Sequence, residues 1–269
     1  MSDQSLNGPI PSSVNSLSGA ATRTAAVLPA AGRGVRLGPG SPKALRQLNG
    51  TPMLVHAVRA LARARAVSLV VVVAPPGGAA EVRALLDEHP LPETVGSTVE
   101  VLVVPGGETR QDSVRRGLDA LPADVGVVLV HDAARPLVPV DTVDAVAAAV
   151  RAGAPAVVPA LPVTDTVKQV SADAGRERGT PEPVVATPDR SLLRAVQTPQ
   201  GFDRATLVKA HQRFRSPGEG ATDDAGLVER LGVPVVLIPG HEEAFKVTRP
   251  LDLVLAEAVL ARRRVNDGF

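Results

Sequence analysis

The sequence predicts an α/β protein: a Rossmann-like, doubly wound, mostly parallel sheet with helices on both faces and a protruding β-hairpin arm. Continuous Val-rich runs such as residues 70–74 and 127–130 are typical of strands buried on both faces of a parallel sheet. These runs alternate with stretches of helical periodicity, and a β-α-β-α-β order is typical of doubly wound sheets. A polar stretch rich in Gly and Pro, residues 161–194, then interrupts the alternation and predicts the arm.

The first half of the chain predicts four strands separated by helices. The strands cover residues 25–28, 70–74, 99–104 and 127–130. Thr51-Pro52 resembles an N-cap followed by a first-turn proline, and apolar residues follow it at helical spacing. A second helix is predicted at residues 79–87, and a third runs from Asp112 as its cap to residue 118.

The second half predicts a further strand, the arm, four helices and a last strand. Asp141 is expected to cap a helix through residue 152, ahead of a strand at 156–158. Residues 163–170 and 184–186 are expected to form the two sides of the hairpin. The remaining elements are a helix near residues 203–215, a helix capped by Thr222 or Asp223, a strand at 235–238 and a helix over 250–264.

The composition favours one domain, predicted at residues 24–264, with the arm at about 162–192 and a disordered N-terminal extension at 1–23. The 269 residues are 44% apolar, with four Phe and neither Trp nor Tyr, so the core is built from Ala, Val and Leu. The extension is rich in Ser, Asn and Gly and lacks the apolar core of a secretory signal. No run of 18 apolar residues occurs, so no membrane span is expected.

Charge and cysteine content exclude several function classes. The net charge of +1 and the scarcity of aromatic residues argue against a general nucleic-acid binder. The chain has no Cys, which excludes disulfides, thiolate catalysis and Cys-based zinc sites. That composition fits a reducing cytoplasm, which is the expected location.

The segment after the first predicted strand has the composition of a phosphate-binding loop. Ala30, Ala31 and Gly32 have almost no side chain, so a ligand can approach backbone N–H groups closely. Arg36 and Lys43 add positive charge, which stabilises the charge on phosphoryl oxygens. The segment therefore predicts a nucleoside triphosphate site, and the alternative is an ordinary Gly turn beside two exposed basic residues.

Two named phosphate motifs do not fit this loop. Gly32, Gly34 and Gly38 are spaced one residue too widely for a dinucleotide fingerprint. Pro42 stands where a P-loop requires Gly before its lysine. The segment is thus a phosphate loop of another kind.

Two later motifs also follow predicted strands. Asp132 comes after the strand at 127–130, where ligands of open α/β sheets bind, and a carboxylate there would serve magnesium or orient a hydroxyl. Its alternative role is a helix cap, and His131 beside it is interpreted as structural. The Gly turn within residues 105–113 is placed to contact a base and ribose, or else simply begins a helix.

Taken as an ordered set, these motifs resemble one enzyme family. The set is Pro29-Ala30-Ala31-Gly32-x-Gly34-x-Arg36, Pro42-Lys43, Gly106-Gly107-x-x-Arg110-x-x-Ser113, His131-Asp132-Ala133-Ala134-Arg135-Pro136, Thr198-Pro199-Gln200 and Lys246-Val247-Thr248-x-Pro250-x-Asp252. It resembles the 2-C-methyl-D-erythritol 4-phosphate cytidylyltransferase family over about residues 25–261.

The resemblance implies a fold of the nucleotide-diphospho-sugar transferase type and a specific reaction. Members of the family join CTP and the sugar-alcohol phosphate into 4-diphosphocytidyl-2-C-methyl-D-erythritol and pyrophosphate, in the non-mevalonate isoprenoid pathway. The resemblance also implies a divalent metal, usually magnesium, and a homodimer in which each arm reaches the partner's site. Small-molecule substrates are expected, with neither nucleic acid nor membrane as a partner.

The resemblance assigns roles residue by residue. It makes Arg36 and Lys43 the transition-state stabilisers, and Arg190 and Lys246 the residues that position methylerythritol phosphate. Contacts with CTP fall on Ala30, Ala31, Gly32, Gly107, Ser113 and Ala133. Contacts with the second substrate fall on Asp132, Arg135, Thr166, Thr198 and Thr222.

Three of these assignments carry a qualification. Asp132 is also a tentative metal ligand. Thr166 and Arg190 lie in the predicted arm and would therefore act in the other subunit.

The chain departs from the family pattern in two places. Ala44 stands where the family often has Gln after the lysine, and a backbone or Gln47 contact would have to substitute for it. Residues 171–184 look longer than a minimal arm, which makes the alignment of Arg190 less secure than that of Lys246.

Two alternatives to this function stay open at the level of the sequence. A cytidylyltransferase for another polyol phosphate, such as ribitol 5-phosphate, would share the loop, the lysine and the fold. Residues 131–135, His-Asp-Ala-Ala-Arg, favour the methylerythritol enzyme, because the ribitol relatives more often have Ser-Val there. The second alternative is a non-catalytic nucleotide-binding module, against which the presence of Arg36, Lys43, Asp132 and Lys246 argues.

Overall fold

The computed structural model describes residues 22–31, 42–91, 99–171, 181–215 and 221–266. Most of the predicted N-terminal extension therefore lies outside the described residues, as do Gly32, Gly34 and Arg36 of the phosphate loop. The first strand begins at Arg23, one residue before the predicted start of the domain.

The first half of the chain alternates strands and helices as the sequence predicts. Its elements are β1 (Arg23–Pro29), a short 3-10 helix (Lys43–Leu45), β2 (Gln47–Leu48), β3 (Thr51–Pro52), α1 (Met53–Ala62), β4 (Leu69–Ala74), α2 (Ala79–Glu88), β5 (Glu100–Pro105), α3 (Arg110–Asp119) and β6 (Val125–Val130).

The second half contains the arm and a return to the sheet. Its elements are α4 (Val140–Arg151), β7 (Ala156–Pro162), β8 (Gln169–Val170), β9 (Val184–Ala186), a 3-10 helix (Arg190–Leu192), β10 (Arg194–Val196), β11 (Gln200–Asp203), α5 (Arg204–Arg213), α6 (Asp224–Arg230), β12 (Val236–Pro239), a 3-10 helix (Glu242–Ala244) and α7 (Pro250–Asn266).

An eight-stranded sheet organises the molecule. The strands β5, β4, β1 and β6 are parallel neighbours in that order, whereas β11 runs antiparallel to both β6 and β7. The edge beyond them is completed by β10, antiparallel to β7, and β12, parallel to it. The chain moves outward from β1 to β5 and then returns to β6 on the other side of β1. The order of the strands therefore reverses between β1 and β6, which is where open α/β sheets bind their ligands.

Each face of the sheet packs against its own helices. Successive residues of β1 alternate between the faces, because strand side chains have a period of two. Ala26 and Leu28 pack in a cluster with residues of α1 and α4, whereas Ala25 and Val27 pack with residues of α3 and α5. The predicted α/β fold, with a mostly parallel sheet covered on both sides, is confirmed.

The close packing of α3 on the sheet depends on Gly117. A Cβ atom at this position would lie 2.5 Å from Cγ1 of Val27 and 3.0 Å from Cγ2 of Val73. Because atoms cannot approach that closely, any side chain there would push α3 away from β1. Arg110 is the first residue of this closely packed helix.

Several predicted helix starts are wrong by a few residues. Thr51 lies in β3 rather than capping α1, which begins at Met53. Asp112 and Asp141 lie in the first turns of their helices, whose cap positions are Thr109 and Pro139. The physical reason is that several polar or Pro residues cluster at each start, and the tertiary path of the chain selects among them.

Of the two predicted caps for α6, the structure selects Asp223, since its carboxylate accepts from the Gly226 N–H at 2.9 Å. The strands β10 and β11 are not predicted by the sequence. No helix in the described residues is long and apolar enough to span a membrane.

The predicted hairpin arm contains a short two-stranded ribbon. The strands β8 and β9 pair antiparallel, with Gln169 opposite Ala186 and Val170 opposite Val184. Several apolar side chains project from the arm into solvent, including Val185 at 58% exposure and Leu192 at 81%. Apolar exposure on this scale is typical of a surface that another element covers.

Candidate active site

The small-residue turn after β1 begins the site. The Ala30 N–H donates to the Val73 carbonyl at 2.8 Å, so the turn is fixed to the neighbouring strand β4. Ala30 is buried and Ala31 is half-buried. Lys43 begins the 3-10 helix that follows and is half-buried. Gly32 and Arg36, which the sequence places in this loop, lie outside the described residues.

A second turn, Gly106-Gly107, follows β5. The Gly106 N–H donates to the Ala74 carbonyl at 2.7 Å, and the Gly107 N–H donates to Oγ of Ser113 at 3.2 Å. The buried Ser113 hydroxyl in turn donates to the Thr109 carbonyl at 3.0 Å. Ser113, predicted as a CTP contact, therefore holds this turn in shape.

The loop after β6 is organised by a fully buried imidazole. Nε2 of His131 lies 3.0 Å from the Arg135 carbonyl, which can only accept, so Nε2 carries the hydrogen. Nδ1 then accepts from the Thr198 hydroxyl at 3.0 Å, and Oγ of Thr198 accepts from the Asp132 N–H at 3.0 Å. Burial lowers the pKa of His131 to about 4, which keeps this ring neutral near pH 7. These contacts support the interpretation of His131 as structural.

Arg135 ties the same loop to distant parts of the chain. Its guanidinium donates to the Ala244 carbonyl at 2.6 Å and to the Val196 carbonyl at 3.2 Å. Burial lowers the pKa of Arg135, although the nearby Asp132 opposes that effect. Ala133 is buried within the loop. Arg135, predicted near the second substrate, thus holds the loop against β10 and the segment before Lys246.

Five charged or titratable side chains form a chain of contacts that we call the Asp132 cluster. Its members, in order of contact, are Lys246, Asp132, Arg110, Asp224 and His211. Nζ of Lys246 lies 2.6 Å from Oδ2 of Asp132, and Nε of Arg110 lies 3.4 Å from Oδ1. The Arg110 guanidinium also donates to Oδ2 of Asp224 at 2.7 Å, and Oδ1 of Asp224 lies 2.9 Å from Nε2 of His211.

The cluster keeps both carboxylates ionised. Burial alone would raise the pKa of Asp132, but Arg110 and Lys246 outweigh it and hold that pKa well below its usual range. Burial would likewise raise the pKa of Asp224, and the contacts with Arg110 and His211 lower it instead. The two carboxylates are the more buried members, at 1% exposure for the Asp224 side chain and 13% for Asp132. The cations Arg110 and Lys246 are more exposed, at 35% and 41%, and Lys246 is the most exposed member of the cluster.

The structure brings only some of the predicted residues together. Asp132 and Lys246 are in direct contact, and Thr198 supports Asp132 through its backbone. Thr166 and Thr222 are exposed. The hydrogen bond described for Arg190 stays within the arm, where its guanidinium donates to the Thr164 carbonyl at 2.7 Å.

Sequence reasoning gave no role to three members of the cluster. Arg110 stands in the quoted Gly106-Gly107-x-x-Arg110 motif, so its position next to a ligand turn was a usable signal. Asp224 and His211 carry no such signal, because their pairing depends on how α5 and α6 pack.

A bound metal ion would need ligands besides the side chains of the described residues, such as water and phosphate oxygens. No group of three or more His, Cys, Asp or Glu side chains that could hold a metal ion occurs among the described residues. Asp132 has a cation against each of its oxygens. Magnesium usually takes only one or two carboxylates and fills its shell with water and phosphate oxygens, so Asp132 still fits it as a single ligand beside a triphosphate.

Comparison with known proteins identifies the family. The model of the 2-C-methyl-D-erythritol 4-phosphate cytidylyltransferase family matches residues 24–262, nearly the whole described chain. The chain belongs to this family. As a member of the 2-C-methyl-D-erythritol 4-phosphate cytidylyltransferase family, it is an enzyme of the nucleotidyltransferase class.

Individual relatives agree with the family match. A protein of Streptomyces coelicolor with the family's name is 74% identical over 247 residues, which cover 92% of this chain and 88% of that protein. The crystal structure of the cytidylyltransferase from Thermus thermophilus is 39% identical, with a TM-score of 0.65, and covers 88% of this chain and 98% of that one. The 4-diphosphocytidyl-2C-methyl-D-erythritol synthase of Anaerococcus prevotii has a TM-score of 0.73 at 25% identity and covers 90% and 97% of the two chains.

Proposed function

We propose that this chain transfers CMP from CTP to 2-C-methyl-D-erythritol 4-phosphate, giving 4-diphosphocytidyl-2-C-methyl-D-erythritol and pyrophosphate for isoprenoid precursor biosynthesis. The observation that carries the proposal is the position of the Lys246–Asp132 pair after β6, beside the small-residue turn after β1. The names of the relatives support the same reaction.

The two turns after β1 and β5 provide the CTP side of this site. Ala30 and Ala31 leave the backbone open to a phosphate, and Lys43 follows on the same segment. The Gly106-Gly107 turn, held by Ser113, is placed for the base and ribose. Arg36 keeps its proposed role at the triphosphate by resemblance alone.

The chemical step needs no proton transfer by the protein. A phosphate oxygen of methylerythritol phosphate attacks the α-phosphorus of CTP and forms the new O–P bond. The bond from that phosphorus to the bridging oxygen breaks, and pyrophosphate leaves with its electron pair. His131 is consistent with this, because both of its ring nitrogens are already in hydrogen bonds.

Catalysis then consists of positioning and charge stabilisation. Lys43 and Arg36 would stabilise charge on the transferring phosphoryl group, and Lys246 would hold the acceptor phosphate against repulsion from CTP. Arg190 would join Lys246 from the partner subunit.

We also propose that magnesium enters with CTP. Bound magnesium would neutralise part of the charge of the triphosphate. Asp132 is the described carboxylate best placed to touch it, and the remaining ligands would be phosphate oxygens and water.

We propose a homodimer that exchanges arms. An isolated two-stranded ribbon is marginally stable in water, yet β8 and β9 leave Val184 and Val185 more than half exposed. A partner subunit that covers these side chains would stabilise the ribbon and bring Thr166 and Arg190 to a second site. Light scattering should give twice the chain mass of 27.7 kDa, and a monomeric mass at working concentrations would contradict arm exchange.

Pyrophosphate release tests the acceptor. The enzyme is assayed with CTP and magnesium plus methylerythritol phosphate, ribitol 5-phosphate or no acceptor. We expect kcat/KM to be at least about 100-fold higher with methylerythritol phosphate, because a site that hydrogen-bonds one polyol rejects others strongly. Equal or better turnover of ribitol 5-phosphate would favour the other cytidylyltransferase, and no release with either acceptor would favour a non-catalytic module.

A further inference from the structure

We propose that Arg110 is a positioning residue for the acceptor phosphate, because it balances the charge of Asp132 from the side opposite Lys246. Asp132 can then orient Lys246 without cancelling the positive charge that the phosphate needs. The inference rests on the proposed function and adds a residue to which no role has been given there.

The geometry places Asp132 between two cations. Arg110 is the first residue of α3, separated from the turn at Gly106-Gly107 by Glu108 and Thr109. Its Nε faces Oδ1 of Asp132 at 3.4 Å, while Oδ2 lies 2.6 Å from Nζ of Lys246. Each oxygen of one carboxylate therefore meets a different positive group.

The charges explain why two cations are needed. Lys246 paired with Asp132 alone would be a neutral unit, and the carboxylate beside the lysine would weaken its attraction for an incoming phosphate. Interactions between charges strengthen where water is excluded, and the Asp132 side chain is only 13% exposed. Asp224 balances the formal charge of Arg110, so Lys246, Asp132, Arg110 and Asp224 sum to zero. The positive Lys246 is the most exposed of the four side chains, at 41%, and the negative Asp224 is the most buried, at 1%, so the cluster presents positive charge to a ligand.

Asp224 explains how Arg110 keeps this position. Its carboxylate, almost fully buried at the start of α6, accepts from the Arg110 guanidinium at 2.7 Å. His211 of α5 lies against the other oxygen of Asp224, at 2.9 Å. The planar fork of Arg can address two carboxylates at once, which the single ammonium of Lys does less well.

The test separates acceptor affinity from turnover. Arg110→Met and Arg110→Lys are assayed by pyrophosphate release, with each substrate varied while the other is saturating. Arg116→Met is the matched control, since Arg116 lies on the same helix and is exposed. Binding of methylerythritol phosphate is also measured by calorimetry, which does not depend on turnover.

Arg110→Met leaves the buried Asp224 without its cation, which alone can destabilise the fold. The substitution is therefore also made in an Asp224→Asn background and compared with Asp224→Asn alone. Both proteins in this comparison carry Asn at position 224, so Arg110→Met no longer leaves a buried carboxylate there without its cation. The effect of Arg110 on binding can then be measured in a folded protein.

We expect Arg110→Met to raise the KM and the calorimetric Kd for methylerythritol phosphate at least about tenfold in both backgrounds. The KM for CTP should change less than about threefold, because the proposed role of Arg110 concerns the acceptor phosphate. Loss of folded enzyme would instead lower the apparent kcat and leave both KM values unchanged. Arg110→Lys should recover part of the affinity, and Arg116→Met should match the wild type.

Two results would overturn the inference in different ways. If the wild type binds and converts methylerythritol phosphate while the Arg110 variants bind it equally well, Arg110 has no positioning role and the proposed function stands. If the wild type neither binds nor converts methylerythritol phosphate, the proposed function fails and this inference fails with it.

Discussion

Thr198→Val provides a sharp test of how the loop after β6 is held. The side chain is only 5% exposed, and valine has nearly the same shape as threonine. The substitution removes a hydroxyl that accepts from the Asp132 N–H and donates to Nδ1 of His131, both at 3.0 Å. It therefore removes two hydrogen bonds without making a cavity.

The expected loss of stability follows from the groups left behind. A buried N–H and a buried ring nitrogen would each lose a partner, and each unsatisfied group costs about 1–3 kcal/mol. The free energy of unfolding should thus fall by about 2–6 kcal/mol. That is a large share of the roughly 5–15 kcal/mol of a typical domain, but the protein should still fold.

Urea unfolding followed by circular dichroism measures this loss, since the chain has no Trp for fluorescence. Thr198→Ser keeps the hydroxyl and should lose about 1 kcal/mol with its methyl group. Thr206→Val is the matched control, because its half-buried hydroxyl donates only to Oδ1 of Asp203, and it should also lose about 1 kcal/mol. A Thr198→Val protein no less stable than Thr206→Val would refute the arrangement of hydrogen bonds described for the loop.

Three further predictions concern catalysis, pH and the dimer. Lys43→Ala should lower kcat about 10²–10³-fold while the free energy of unfolding changes by about 1 kcal/mol or less, and near-normal turnover would remove Lys43 from the site. The pKa of His131 is lowered to about 4 by burial, so below pH 6.5 the unfolded chain binds a proton that the folded chain does not. The free energy of unfolding should therefore fall by about 3 kcal/mol as the pH falls from 6.5 to 4. In His131→Asn, which lacks the titrating ring, the free energy of unfolding measured in urea should fall less over the same pH range. Mixing inactive Arg36→Ala and Arg190→Ala subunits should restore part of the pyrophosphate release, and no recovery after confirmed subunit exchange would contradict arm exchange.

The sequence predicts those parts of the fold in which consecutive residues are all apolar and therefore buried. Four successive Val residues in β4 allow only a strand covered on both faces, and its predicted bounds differ from the observed ones by one residue. By contrast, β10 has three exposed residues and β11 is a short mixed segment. These two strands exist because β6 and β7 offer them hydrogen bonds, and a local pattern cannot contain that information.

The candidate site divides in the same way. Asp132 and Lys246 were predicted because each stands in a recognisable motif, and the structure places the two side chains in direct contact. The sequence could not show that Arg110 joins them, since its carboxylate partners lie 22 and 114 positions away along the chain.

The contact between Arg110 and Asp132 matters for the proposed function, although no role for Arg110 was predicted from the sequence. A carboxylate beside a phosphate-binding lysine would normally weaken the site, so Asp132 viewed with Lys246 alone is hard to reconcile with an anionic substrate. In the proposed arrangement Arg110 resolves this conflict, because it balances part of the charge of Asp132 while Asp132 fixes the direction of the lysine. The carboxylate that balances Arg110 in turn, Asp224, lies at the buried end of the cluster, away from the ligand. On this proposal, binding of the acceptor phosphate depends on a residue whose two carboxylate partners are brought together by tertiary packing.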